Sequence, residues 1–143
     1  MKTIKVSEVS GAALDWLVAK CEGLEIFISC GTVMRRYQTN AKQEPVFSPS
    51  ANPAQAWPII EREGINLRAI RKLGHAFDGQ WLAMPAEFAG TGENVRWIKF
   101  LFGELDKRRR WQGETSLIAA MRCYVASKLG DTVEVPEELA CQE

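Results

Sequence analysis

Residues 115–130 constrain the fold most, because they predict one long helix with an apolar face. Thr115 is placed as its N-cap and Gly130 as the residue that ends it. Arg122 and Ser127 fall on the opposite side of the helix. The apolar face consists of Leu117, Ile118, Met121, Tyr124, Val125 and Leu129. Such a helix is stable only when other elements cover its apolar face, so the remaining chain must supply them.

Shorter segments predict the strands and a second helix that could cover this face. Ser10 and Gly23 bracket apolar residues that recur at helical spacing, which predicts a helix between them. The predicted strands are segments with β-branched or alternating residues at 3–6, 24–29, 65–70, 80–85 and 131–135. This order predicts an α+β fold, with a small, mostly antiparallel sheet and two or three helices packed on one face.

Two further segments and the chain end have less regular patterns. Residues 31–57 show no sustained period and predict a long connection. Residues 94–109 predict a helix, with a strand up to residue 102 followed by a turn as the alternative. The length of 143 residues fits one domain. We place that domain at residues 1–136 and predict an acidic, frayed tail at residues 137–143.

The segment FSPSANPAQAWPIIEREG at residues 47–64 is the most unusual in composition, with three prolines close to a tryptophan. Asn52 followed by Pro53 is typical of an N-cap and first helical position. Pro58 then predicts the start of a second turn, which Gly64 ends. Because a proline disfavours helical geometry in the residue before it, Trp57 is predicted to lie at a kink between two short helical turns.

Trp57 is also the best candidate for a protein-binding residue, since tryptophan combines a large apolar area with a polar N–H group. Glu61 and Arg62 follow it closely and complete the predicted partner-binding set. The alternative is that the segment packs onto its own domain and that Trp57 belongs to the core.

Charge argues against a protein that coats nucleic acid, because 18 basic residues balance 18 acidic ones. One basic cluster still stands out, and a solvated helix end is the favoured interpretation of it. A nucleic-acid interface is the alternative, since basic side chains beside an aromatic ring could hold a phosphate backbone and stack a base. The cluster consists of Lys107, Arg108, Arg109, Arg110 and Trp111.

Neither a metal site nor a catalytic set is predicted. The chain has one histidine, His75, and its four cysteines form no CxxC pair, so no zinc set can be written. His75 could act as a general base near Asp78, but a surface turn is favoured because no nucleophile motif accompanies it. We therefore predict no catalytic residue and no cofactor. The cysteines are predicted to be reduced thiols, with Cys21 and Cys123 as small core residues.

The N-terminal residues do not resemble a signal peptide, because charged residues interrupt their apolar positions. The apolar runs are also shorter than the roughly 20 residues needed to span a bilayer. These features predict a cytoplasmic protein that does not enter a membrane.

Three segments together resemble the NinX-like family of small, biochemically uncharacterised phage and prophage proteins. They are VSEVSGAALDWLVAKCEG at 6–23, SPSANPAQAWPIIEREGI at 48–65 and TSLIAAMRCYVASKLGDTVEVPEEL at 115–139. The resemblance implies a phage or prophage origin and the cytoplasm of a bacterial host. It implies no catalytic residue.

The hypothesis that we favour is a non-enzymatic accessory protein that binds a host or phage protein. An accessory protein that binds nucleic acid through residues 107–110 is the alternative, and an enzyme with an unfamiliar site ranks third.

Overall fold

The computed structural model describes residues 1–36, 45–69, 79–84 and 112–140. The helices in these ranges are α1 (Gly11–Glu22), α2 (Pro53–Glu63), α3 (Ser116–Leu129) and α4 (Glu137–Ala140), with a 3-10 turn at Val6–Glu8. The strands are β1 (Lys2–Lys5), β2 (Ile26–Ser29), β3 (Thr32–Arg35), β4 (Asn66–Ala69), β5 (Trp81–Met84), β6 (Gln112–Gly113) and β7 (Thr132–Val135).

The strand pairings between these elements are all antiparallel. β1 pairs with β7, β2 pairs with β3, and β5 lies between β4 and β6. The predicted α+β class is confirmed, with the described strands divided among three small sheets instead of one.

Helix α3 lies at the centre of the fold, as its sequence pattern predicts. The Thr115 hydroxyl oxygen accepts a hydrogen bond of 3.2 Å from the backbone N–H of Ile118, which caps the first turn. The helix packs against β4, β5 and β6 and also against α1 and α2. Its buried residues are Ala119, Ala120, Met121, Cys123, Tyr124 and Val125. Leu129, predicted to belong to the apolar face, is exposed because it is the last helical residue.

Arg122 occupies the predicted polar side of α3, yet it acts within the fold. Its Nε donates a hydrogen bond of 2.8 Å to the carbonyl oxygen of Val9, and its Nη1 donates one of 2.8 Å to the carbonyl oxygen of Gln112. The side chain therefore ties both the entry to α1 and strand β6 to the central helix. Burial lowers the pKa of Arg122.

The predicted helix α1 begins after Ser10 and ends at Gly23, where the backbone is left-handed with φ of 71°. Ser10 is the N-cap residue, although its side chain makes no capping hydrogen bond. Cys123 is buried and Cys21 is half-buried against the core, as the sequence predicts. Among the described residues, neither of them forms a disulfide bond, and the exposed Cys30 forms none either.

The prediction of a long connection at residues 31–57 is wrong. β3 pairs with β2 through a two-residue turn at Cys30 and Gly31, whose φ angles are 51° and 71°. Two successive left-handed residues fit the right-handed twist of a hairpin, but asparagine followed by glycine is the usual signal for them. The sequence conceals this turn because Cys30 occupies the first of the two positions.

The predicted kink at Trp57 is also wrong, because α2 is one continuous helix that includes Pro58. Pro58 has no N–H to donate to the carbonyl four residues earlier, at Ala54. Both residues are exposed, so water can hydrate that carbonyl. The opposite face of the helix buries Ala56, Ile59 and Ile60, and this burial stabilises the helix on both sides of the proline.

Residues Glu137–Ala140 form a short helix in which Leu139 and Ala140 are buried, so these four residues are packed and not frayed. Helix α4 contacts α1, and the strand before it, β7, pairs with β1. The division into a domain at 1–136 and a tail at 137–143 stays a prediction.

Candidate functional site

The segment before α2 is held in place by side chains from both its own helix and α1. The backbone N–H of Ser50 donates a hydrogen bond of 2.8 Å to the buried carboxylate of Asp15. Gln55 accepts from the N–H of Ser48 at 2.7 Å and donates to the carbonyl of Val46 at 2.8 Å. These bonds make the proline-rich segment an ordered part of the fold, so the start of α2 is firmly positioned.

Asp15 is an unusual residue in this anchor, because it is an acidic residue that is only 5% exposed. Burial raises the pKa of Asp15 to about 6, although the hydrogen bonds from Ser50 act in the opposite direction. The folded protein therefore binds this proton more tightly than the unfolded chain does. Stability contributed by Asp15 is present at pH values near 4 and is lost as the pH rises through about 6.

We therefore expect Asp15→Asn to gain stability relative to the wild type as the pH rises. Asparagine keeps an oxygen that can accept from Ser50 but carries no charge to bury. The relative gain between pH 4 and pH 7 should be about 2–3 kcal/mol, since one pKa unit corresponds to about 1.4 kcal/mol. Urea unfolding at each pH measures it. Glu134→Gln, at an exposed carboxylate on β7, is the matched control, and an equal gain in that variant would contradict the role given to Asp15.

Trp57 lies on the exposed face of α2, and the residue is 51% exposed to solvent. Its indole Nε1 donates a hydrogen bond of 2.7 Å to the carboxylate of Glu61, one helical turn later. Side chains four residues apart lie side by side on a helix, so this bond orients the ring along the helix surface. We call the exposed residues Pro53, Ala54, Trp57, Pro58 and Glu61 the α2 surface.

Arg62 does not belong to the α2 surface, because it connects three helices. Its Nη1 and Nη2 donate hydrogen bonds of 3.0 and 2.6 Å to the two carboxylate oxygens of Glu22 on α1. Nη2 also lies 3.3 Å from the hydroxyl oxygen of Tyr124 on α3, and Nε donates to Glu63 at 3.0 Å. Lys128 pairs with the other oxygen of Glu63 at 3.1 Å. We call these five residues the Arg62 network.

The pKa values of Glu22 and Tyr124, two members of the Arg62 network, are shifted in opposite directions. Burial raises the pKa of Glu22, but hydrogen bonds from Arg62 and Tyr124 outweigh burial and hold the pKa below its usual value. Burial and the hydrogen bond to Glu22 raise the pKa of Tyr124. The Tyr124 hydroxyl donates to Glu22 at 2.6 Å, so it keeps its proton while Glu22 stays ionised. The network therefore consists of two carboxylates and two cations joined by hydrogen bonds and ion pairs, with Glu22 ionised and Tyr124 protonated near neutral pH.

The structure brings the three predicted partner-binding residues onto one helix but gives them different surroundings. Trp57 and Glu61 contact each other on the exposed face, whereas Arg62 is engaged by Glu22 and Glu63. Several predicted features lie outside the described residues. They are His75, the segment 94–109, the basic cluster at residues 107–110 and Trp111. Their predicted roles stay predictions.

Sequence reasoning missed the partners of Arg62 and the contact between Asp15 and Ser50. Glu22 and Tyr124 are 40 and 62 residues away from Arg62 along the chain, so no local spacing connects them. The pairing of Trp57 with Glu61 could have been found, because the two residues are four apart in a segment with helical signals.

The described ranges contain no helix with the length and hydropathy of a membrane span. Within the same ranges, no three His, Cys, Asp or Glu side chains are grouped so that they could hold a metal ion.

Comparison with protein families gives a match over most of the chain. The family model described as Bacteriophage P22, NinX matches residues 5–128. A comparison with curated proteins gives no match. The matched range includes α1, α2 and nearly all of α3, so it covers both the α2 surface and the Arg62 network.

Proposed function

The chain belongs to the family of bacteriophage P22 NinX, and from this membership we propose that it is an accessory protein that binds a host or phage protein in the cytoplasm of a bacterial host. The binding residues in this proposal are those of the α2 surface, with Trp57 as the anchor. The proposed activity is binding and not catalysis.

The single observation that carries the proposal is the exposure of Trp57 on a well-anchored helix. Tryptophan is enriched among residues that dominate binding energy at interfaces. Helix α2 is capped by Asn52, whose side chain accepts from the N–H of Ala54 at 3.0 Å, and it ends at Gly64 with φ of 65°. A helix held at both ends loses little conformational entropy when a partner binds, which favours affinity.

Arg62 supports the binding surface indirectly in this proposal. Its bonds to α1 and α3 hold the C-terminal half of α2 against the core. A variant at Arg62 would therefore disturb both the fold and the surface, and it is unsuited to test binding.

Affinity capture from a lysate of a bacterial host tests the proposal. We expect the wild type to retain at least one specific protein, and Trp57→Ala to reduce its recovery at least tenfold, as for an anchor worth more than about 1.4 kcal/mol. Phe27→Ala is the matched control, because Phe27 is another exposed aromatic residue, at 40%, but lies on the β2–β3 hairpin. Identical sets of retained proteins for the wild type and Trp57→Ala would reject the proposal.

A further inference from the structure

The α2 surface places an open aromatic face beside a carboxylate. Trp57 uses its Nε1–H to bond one oxygen of Glu61 at 2.7 Å, so the ring edge and the carboxylate are held together. An ionised carboxylate has about four lone-pair sites for hydrogen bonds, and this bond uses one of them. The pair therefore presents a negative group next to the electron-rich face of an indole.

Four other aromatic rings among the described residues have a cation of their own nearby. Lys20 lies 5.2 Å from the ring centroid of Trp16, Arg36 lies 5.7 Å from that of Phe27, and Arg35 lies 4.9 Å from that of Phe47. Tyr124 has both Arg62 and Lys128 near its ring, at 5.8 and 5.9 Å. Throughout the ranges that the structure describes, no lysine or arginine lies over Trp57.

Negative charge exceeds positive charge around the C-terminal half of α2 when the described residues are compared. Glu22, Glu61 and Glu63 supply three negative charges around the C-terminal half of α2, whereas the Arg62 network supplies two positive ones, from Arg62 and Lys128. Arg62 is bonded to Glu22 and Glu63, and Lys128 is bonded to Glu63. Among the described residues Glu61 has no ion pair, so the unpaired negative charge lies next to Trp57.

From this geometry we infer that the α2 surface binds a basic peptide segment of a partner protein, an inference that rests on the proposed function and adds the chemistry of the partner. An arginine or lysine of the segment stacks on the face of Trp57, and its charged group pairs with the free oxygen of Glu61. The aliphatic stem of the same side chain contacts Pro58 and Ala54, since long basic side chains cover apolar surface with their methylene groups. An acidic segment or a phosphate backbone would be repelled by Glu61.

The inference can be tested with a defined peptide and the intact chain. The probe is an acetylated, amidated tetra-arginine, titrated into ¹⁵N-labelled protein at low ionic strength. The indole N–H signal of Trp57, assigned by its loss in Trp57→Leu, should shift and saturate. Acetylated, amidated tetra-glutamate should leave it unmoved. Added salt should weaken the tetra-arginine binding, as for exposed charges.

Two variants separate stacking from charge. Glu61→Gln and Trp57→Leu should each weaken tetra-arginine binding about two- to fivefold, the range for an exposed ion pair or cation–π contact. Because Trp57→Leu has no indole signal at residue 57, its binding is followed by the backbone amide signal of residue 61. Glu134→Gln on β7 should leave the affinity unchanged. The inference is overturned if tetra-arginine gives no saturable shift, if tetra-glutamate shifts the signal equally, or if neither variant weakens binding.

Failure of this inference differs from failure of the proposed function. Loss of a captured protein in Trp57→Ala together with full retention in Glu61→Gln would overturn the basic-segment inference and leave the binding role in place. Peptide binding at Trp57 with no Trp57-dependent protein recovered from the lysate would reject the proposed function and support only the basic-segment chemistry of the α2 surface.

Discussion

Gly113→Ala is expected to lower the free energy of unfolding by about 3 kcal/mol, although it adds only one methyl group. A Cβ atom at this position would lie 2.6 Å from the backbone nitrogen of Ala119 and 2.9 Å from Cγ2 of Ile118. Both neighbours belong to the first turns of α3, the central helix of the fold. A backbone atom in that helix can retreat only if the whole packing of α3 changes, so the clash is costly.

The matched control for this variant is Gly11→Ala. Gly11 has φ of +57° and no atom within 4 Å of an added Cβ, so this substitution costs only the strain of a left-handed backbone, about 1–2 kcal/mol. Urea unfolding of both variants, with unchanged m-values, would measure the two costs. If Gly113→Ala were no less stable than Gly11→Ala, the close approach of β6 to α3 would be contradicted.

The elements predicted well from the sequence are those that depend on neighbouring residues. Thr115 and Asn52 cap the helices that follow them, and Gly23 and Gly64 end helices with left-handed backbones, as their residue types predict. Capping involves bonds within one helical turn, so the information lies in a few adjacent residues.

The errors arose where local signals and packing disagree. Pro58 predicts a break, but burial of Ile59 and Ile60 keeps α2 continuous around an exposed proline. Cys30 is a poor signal for a hairpin turn, yet β2 and β3 pair across it. In both cases packing or strand pairing outweighs a local preference of about 1–3 kcal/mol.

The candidate site likewise contains one contact that depends on neighbouring residues and others that depend on packing. The contact between Trp57 and Glu61 follows from helical spacing, whereas the Arg62 network depends on how α1, α2 and α3 pack together. The sequence could not show that Arg62 faces Glu22. The predicted partner-binding set therefore combined Arg62, which stabilises the fold, with Trp57 and Glu61, which face solvent.

Arg62→Ala should consequently lower the free energy of unfolding by about 2 kcal/mol at pH 7. Removing one partner of a fully buried ion pair costs about 3–5 kcal/mol, because the other charge stays buried and unpaired. The cost here is smaller, since the Arg62 side chain is 51% exposed, while that of Glu22 is 18% exposed. Equilibrium urea unfolding provides the measurement.

The loss should also depend on pH in a defined direction. The folded-state pKa of Glu22 is held below the usual value of 4.5, so its stabilising contribution is present above that pH and is lost as the pH falls through the folded-state pKa. Without Arg62, only the hydrogen bond from Tyr124 opposes the effect of burial on the pKa of Glu22, so that pKa rises. The difference in stability between the wild type and Arg62→Ala should therefore grow as the pH rises from about 3 to about 6.

Arg36→Ala is the control that separates the ion pairs of Arg62 from its contact with an aromatic ring. Arg36 lies 5.7 Å from the ring centroid of Phe27, much as Arg62 lies 5.8 Å from that of Tyr124, but among the described residues it has no ion pair. Its removal should cost at most about 1 kcal/mol, the value of an exposed cation–π contact. If the two arginine variants lost equal stability, or if the loss in Arg62→Ala were independent of pH, the pairing with Glu22 would not stabilise the fold. The assignment of Arg62 to the scaffold, and its exclusion from the binding surface, would then be wrong.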